Sequence, residues 1–289
     1  MLSVLIPTYN DECYRLVCAL ASQAETACPD GWEIIVADDV STDEAVVREN
    51  EKINTIAHCR FIKKPTNDGR AAIRNYLAQQ ALGDWLLFID SDMTMIEDDY
   101  LKKYHEAINQ ASVIYGGYRV MAGPTGNLRY LYERKAEPFH TVTQRWQQPY
   151  RDFHTSNFLI QRGVMLAHPL DERFRHYGYE DVFFGRQLQE AGISIHHIDA
   201  PVGFCRFESN DAFVSKTEEG IRTLHTFHDE LQGYSRLIRL ADRLGGNPLG
   251  FLVRLCYRLM RGCWRRNLCS NKPSLRCFKL YKLGYYLSL

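Results

Sequence analysis

Val4-Leu5-Ile6-Pro7-Thr8-Tyr9-Asn10 and Trp85-Leu86-Leu87-Phe88-Ile89-Asp90-Ser91-Asp92 bracket the first third of the chain. Each is a continuous apolar run that gives way to polar or acidic residues, the pattern of a strand buried on both faces. Glu33-Ile34-Ile35-Val36-Ala37, which ends in Asp38-Asp39, and the shorter Arg60-Phe61-Ile62 lie between them. Three stretches of helical pattern separate the four runs: 11–24, Ser41 to Ala57, and Gly69 to Leu82. Ser41 followed by Glu44 reads as a capping box for the second stretch. This alternation predicts an α/β fold, a mostly parallel sheet flanked by helices.

Ligands of such sheets bind beyond the carboxyl ends of the strands. The residues there are Pro7 to Asp11, Asp38-Asp39, Lys63 to Arg70, and Asp90 to Asp92. No strand leads into GxGxxG and no GxxxxGK[ST] occurs, which argues against dinucleotide and P-loop binding. Asp90 and Asp92, one residue apart, can hold a divalent cation through hard oxygen ligands or can end a strand in a turn. Asp38-Asp39 can accept from a base N–H or a ribose hydroxyl, or can lead into the Ser41 cap. Gly69 permits close backbone approach where a helix begins. Arg70 and Arg74, one turn apart, suit a diphosphate or open solvent. Glu180-Asp181, after Tyr177-Gly178-Tyr179, can favour a helix dipole or fix a general base at a rigid helix end.

Beyond residue 92 the alternation weakens. Strands are expected at 112–115, 118–121, 155–160 and 193–198, and helices at 130–137, 179–191 and 211–231. The order of five blocks closely resembles glycosyltransferase family 2 over about residues 2–200. They are Val4 to Asn10, Ile35-Val36-Ala37-Asp38-Asp39-Val40-Ser41-Thr42-Asp43, Gly69-Arg70-Ala71-Ala72-Ile73-Arg74-Asn75, Asp90-Ser91-Asp92, and Gly178-Tyr179-Glu180-Asp181. The resemblance implies the GT-A fold, Rossmann-like, and inverting transfer of a sugar from a nucleotide donor, a UDP-sugar. The group moved would be hexosyl or N-acetylhexosaminyl, and the product a polysaccharide or envelope glycan.

The resemblance also implies roles. Pro7, Thr8, Tyr9 and Asp39 would frame the nucleoside, with Asp38 a second candidate for the base. Asn67, Gly69, Arg70, Asp90 and Ser91 would complete the nucleotide site. Asp92, with Asp90, would hold Mn2+ or Mg2+, and Asp181, beside Glu180, would deprotonate the acceptor hydroxyl. One position departs from the family pattern: Phe204 stands where many relatives carry a histidine that completes the metal site. Cys205 would be a soft substitute, and Arg206 could supply the charge instead. Metal dependence is therefore open on the sequence alone.

The chain has 289 residues, with 35 basic and 35 acidic side chains and no net charge. That balance argues against a nucleic-acid partner, but it is a cancellation. From Leu244 onward, past the last acid Asp242, come Arg254, Arg258, Arg261, Arg265, Arg266, Lys272, Arg276, Lys279 and Lys282. Arg254, Arg258, Arg261 and Arg265 fall within a helical arc of about 60°, opposite Leu252, Leu255, Cys256, Leu259, Met260 and Cys263. A basic amphipathic helix of this kind can lie on an anionic membrane or pack on the body. The expected division is a GT-A domain at 1–208 (nucleotide half 1–92, acceptor half 93–208), a helical segment at 209–243 and a basic extension at 244–289. Residues 117–155 would form the acceptor platform, for a glycan or lipid-linked acceptor. Nine cysteines without zinc-like spacing, and no leader or spanning segment, predict a cytoplasmic protein, peripheral on the inner face of a membrane. The alternative expectation is a catalytically silent GT-A module that assembles other enzymes there.

Overall fold

β1 (Leu2–Thr8), β2 (Trp32–Asp38), β3 (Cys59–Lys63) and β4 (Trp85–Ile89) pair in parallel, in the spatial order β3-β2-β1-β4. The connections carry α1 (Tyr14–Ala27), α2 (Glu44–Glu51) and α3 (Arg70–Gln80). Successive strand residues face opposite sides. Val4, Ile6, Ile34 and Val36 therefore join one core with Val17, Leu20, Tyr100 and Leu101. Leu5, Ile35, Phe88 and Leu86 join another with Ile73, Leu77, Phe158 and Phe184. Both faces are buried, which is why the strands read as unbroken apolar runs.

The sheet continues through β8 (Asn157–Gln161), β6 (Val113–Tyr115) and β9 (Ile195–His197). Only β8 runs against the other six strands, so the sheet is mostly parallel. A second, three-stranded sheet joins β5 (Met93–Thr94), β10 (Val202–Phe204) and β7 (Tyr118–Val120). The remaining helices are α4 (Tyr100–Ala107), α5 (Leu128–Ala136), α6 (Val142–Arg145), α7 (Arg162–Ala167), α8 (Glu180–Glu190), α9 (Asn210–Thr226), α10 (Arg236–Gly245), α11 (Pro248–Leu268) and α12 (Leu275–Tyr286).

This computed structural model describes all residues, Met1–Leu289, in two units. The first comprises Met1–Met121, Phe139–Arg175 and Phe184–Arg206 and contains every strand. The second comprises Ala122–Pro138, His176–Phe183 and Phe207–Leu289, and is helical. Its core is Leu128, Phe213, Val214, Tyr257, Leu268, Phe278 and Tyr281.

Two local expectations are corrected. The cap of α2 is Asp43, whose side chain accepts from Ala45 N and Val46 N, and not Ser41. The helix also stops at Glu51 and continues only as a 3₁₀ turn, Lys52–Thr55, short of Ala57. Ser41 is drawn away because its hydroxyl donates to Asp38 and accepts from Asn10 N at 2.7 Å.

Candidate functional site

The ends of β1 and β2 are laced together by Asn10, a non-glycine residue at φ 52°. Its Oδ1 accepts from Thr42 N at 2.7 Å and Asp43 N at 2.9 Å. Asp38 is buried and its carboxylate closes the turn, accepting from both Ser41 N (3.0 Å) and the Ser41 hydroxyl. Val40 sits at φ 68°, a costly conformation for a β-branched residue. Thr8 Oγ1 donates to Asp11 O at 2.9 Å, while Tyr9 is half exposed beside it.

Asp39 stands where the loops after β2 and β3 meet. Its Oδ1 accepts from Lys64 Nζ at 2.7 Å and Asp68 N at 3.3 Å, and its Oδ2 from Gly69 N at 3.1 Å. Asn67 Nδ2 donates to Asp39 O at 2.7 Å. A carboxylate offers about four acceptor positions, so roughly one remains for a ligand. Burial opposes the Lys64 ammonium, but its bonds to Asp39 and Asp68 outweigh that and raise its pKa. Gly69, at φ 91°, is obligatory here: a Cβ would lie 2.9 Å from Arg175 O.

Arg74 is buried and its guanidinium pairs with Asp90, while Arg70 Nη2 lies 3.6 Å from the same carboxylate. The two arginines thus share Asp90, and Arg74 does not present a face to a diphosphate. Ser91 is buried in the turn after β4, and Asp92 follows it. β10 pairs antiparallel with β5, so that Phe204 opposes Met93, the residue after Asp92. Burial, and next the Asp92 carboxylate, raise the Cys205 thiol above its ordinary pKa. That keeps it a poor metal ligand. Arg206 pairs with Asp11 and donates to Glu12 O at 2.9 Å. His197, on the preceding strand, is buried, its pKa pushed down to about 4 by burial and then by Arg145. Its Nε2 donates to Pro149 O at 3.1 Å.

No group of three or more His, Cys, Asp or Glu residues is gathered to hold a metal ion. The chain's own donors reduce to Asp92, because Asp90 is taken up by Arg74 and Arg70. One or two carboxylates suffice for Mg2+ or Mn2+ when substrate phosphates and water fill the other positions, so Asp92 fits an ion that arrives with a phosphorylated ligand. A shallow depression of about 340 Å3, lined in part by Asp38, Val40, Ser41, Lys63 and Lys64, includes none of Asp39, Asp90 or Asp92.

The second unit holds the remaining candidates. Gly178 (φ 98°) and Tyr179 (φ 70°) turn the chain sharply into α8. A Cβ on Gly178 would meet Gly220 Cα at 3.3 Å. Tyr177 N donates to Glu219 Oε1 at 3.1 Å and Thr223 Oγ1 donates to Tyr177 O at 3.1 Å, so the turn is fastened to α9. Glu180 is buried, whereas Asp181 is half exposed and accepts from Val182 N at 2.8 Å. Of the two acids, Asp181 is the one that solvent reaches.

The family model described as glycosyl transferase family 2 matches residues 3–167. An uncharacterized glycosyltransferase of Haemophilus influenzae is 26% identical over 234 residues, 78% of this chain and 87% of that protein. The crystal structure of S. aureus TarS 1–349 in complex with UDP-GlcNAc superposes with a TM-score of 0.54 at 17% identity, covering 99% of this chain and 89% of that one. The mannosyltransferase PcManGT from Pyrobaculum calidifontis, in complex with GDP-Man and Mn2+, gives 0.53 at 14% identity, covering 99% and 84%. These two share the fold.

Proposed function

We propose, for a chain that belongs to glycosyl transferase family 2, inverting transfer of a sugar from a UDP-sugar to a hydroxyl of a glycan or lipid-linked acceptor. The observation that carries this reading is the clustering of Pro7, Thr8, Tyr9, Asp39, Asn67, Gly69, Arg70, Asp90, Ser91 and Asp92 at the ends of four parallel strands. The open acceptor position on Asp39 suits the N3–H of uracil, and exposed Tyr9 can cover a base. Asp38 is spent on Ser41 and drops to a supporting role. Asp90, oriented by Arg74, would accept from a ribose or sugar hydroxyl.

In the reaction, the acceptor oxygen attacks the anomeric carbon from the face opposite the diphosphate. The carbon–oxygen bond to the phosphate breaks, the hydroxyl proton passes to Asp181, and nucleoside diphosphate leaves. One carboxylate is enough for a single displacement. A divalent cation held by Asp92 and the donor phosphates would supply charge neutralisation of the leaving group. The transferred group is a hexosyl or N-acetylhexosaminyl residue, destined for polysaccharide or envelope glycan. Residues 1–92 act as the nucleotide half and 93–208 as the acceptor half, with 117–155 the acceptor platform. Residues 209–243 form a helical segment, and 244–289 would hold the enzyme on an anionic membrane surface.

Thermal unfolding against a panel of sugar nucleotides, with and without Mn2+, tests donor recognition. One UDP-sugar at about a hundredfold its Kd should add roughly 2.7 kcal/mol, a rise in Tm of roughly 5–10 °C. Asp39→Ala should abolish the shift. No shift with any sugar nucleotide would overturn the reading. A shift without turnover would favour the silent module, for which Phe204 in the histidine position is the warrant.

A further inference from the structure

α11 (Pro248–Leu268) packs on α9, α10 and α12 through Gly250, Tyr257 and Leu268, with Trp264 partly covered. Arg265 is tied inward, its guanidinium bonded to Asp211 at 2.8 Å and Glu218 at 2.6 Å. Arg254 donates to Gly245 O at 3.2 Å. The cationic stripe is therefore partly the packed edge of the helix, and the apolar side faces outward. Phe251 is 64% exposed, Leu252 56%, Leu255 42%, Leu259 75% and Met260 40%. At 100° per residue these side chains cover about 180° of the helix circumference. Arg258, Arg261 and Arg266 are exposed along the same helix.

An apolar arc this wide, left open to water, calls for a partner. We infer that α11 lies in the interface of a bilayer of anionic phospholipid, with Phe251, Leu252, Leu255, Leu259 and Met260 among the acyl chains and Arg258 and Arg261, which flank that arc, at the headgroups. Charge complementarity selects this occupant. No acid follows Asp242, so nine cations from Arg254 to Lys282 stand unopposed in sequence. A second copy would bring an equal set of like charges against the first, whereas anionic headgroups neutralise them. No helix is long and apolar enough to cross a membrane, so the helix lies along the surface. The inference rests on the membrane part of the proposed function and not on its transfer chemistry.

Flotation of the full chain with vesicles of equal parts phosphatidylglycerol and phosphatidylcholine, against phosphatidylcholine alone, tests it. The chain should float with the anionic vesicles and be released by high salt. Leu255→Asp with Leu259→Asp, both at exposed positions, should weaken binding at least about tenfold while Tm falls by no more than roughly 3 °C from lost helix propensity. Arg258→Glu with Arg261→Glu should weaken it at least roughly thirtyfold. Absence of wild-type flotation, or undiminished flotation of the leucine double variant, would overturn the inference. So would a sedimenting dimer that this variant converts to monomer, which would assign the face to a second copy. The UDP-sugar shift in Tm, measured on the same variant, separates the two readings: it should persist when flotation is lost, and its absence in both proteins would count only against donor recognition.

Discussion

Val40 holds a left-handed backbone next to Asp39, one of three non-glycine residues at positive φ that adjoin candidate positions, with Asn10 and Tyr179. Asn10 repays that conformation in hydrogen bonds, but Val40, 39% exposed, has a branched side chain and little burial. Val40→Gly should therefore stabilise the fold by about 1 kcal/mol, raising Tm by roughly 3 °C. Calorimetry showing a lower Tm would mean that the side chain contributes packing that outweighs the strain. The acids at the strand ends were located in the sequence because they terminate continuous apolar runs, while their roles came only with the resemblance. Their partners were not. Lys64, which neutralises Asp39, and Arg74, which seizes Asp90, lie 25 and 16 residues away in sequence. A buried carboxylate implies a cation somewhere, but only the folded loops say which. Of Glu180 and Asp181, the sequence favoured the second by resemblance, and exposure favours it on physical grounds.

At the scale of elements, β8 is what turns a row of four parallel strands into the wider mixed sheet. Asn157 at its start is fully buried and joins several elements. Its Oδ1 accepts from Tyr100 at 2.6 Å and Tyr104 at 2.8 Å, and its Nδ2 donates to Gly117 O at 2.6 Å and Ala200 O at 2.9 Å. Asn157→Leu would keep the branched shape of the side chain and strand these partners. The expected cost is on the order of 3 kcal/mol, a fall in Tm of roughly 10 °C. A fall of only a degree or two in a thermal melt would show that water replaces the amide. The first ninety residues were legible because unbroken apolar runs and helical patterns are local signals. The antiparallel sense of β8 and the short β5–β10–β7 sheet were not, since each depends on partners distant in the chain, whereas α4 went unread although Tyr100, Leu101, Tyr104 and Ala107 recur at helical spacing.

For the molecule as a whole, the division of charge was visible in the sequence, but the direction in which the basic helix faces was not. Periodicity gives the two sides of α11, and only the packing of Tyr257 and Leu268 shows which side is turned inward. The interleaving of 122–138 and 176–183 with the helical C-terminal region was equally hidden, because it joins segments far apart in the chain. The proposed chemistry is simpler to state: the sugar passes from its nucleoside diphosphate to the acceptor oxygen while Asp181 takes the hydroxyl proton. The most direct test is release of nucleoside diphosphate from a panel of UDP-sugars with acceptor glycans and Mn2+, by wild type and by Asp181→Asn. Wild type should turn over one donor, and the variant should be slower by about 10²–10⁴-fold with UDP affinity unchanged by calorimetry. Equal turnover by the variant, or no turnover of any sugar nucleotide by the wild type, would contradict the account.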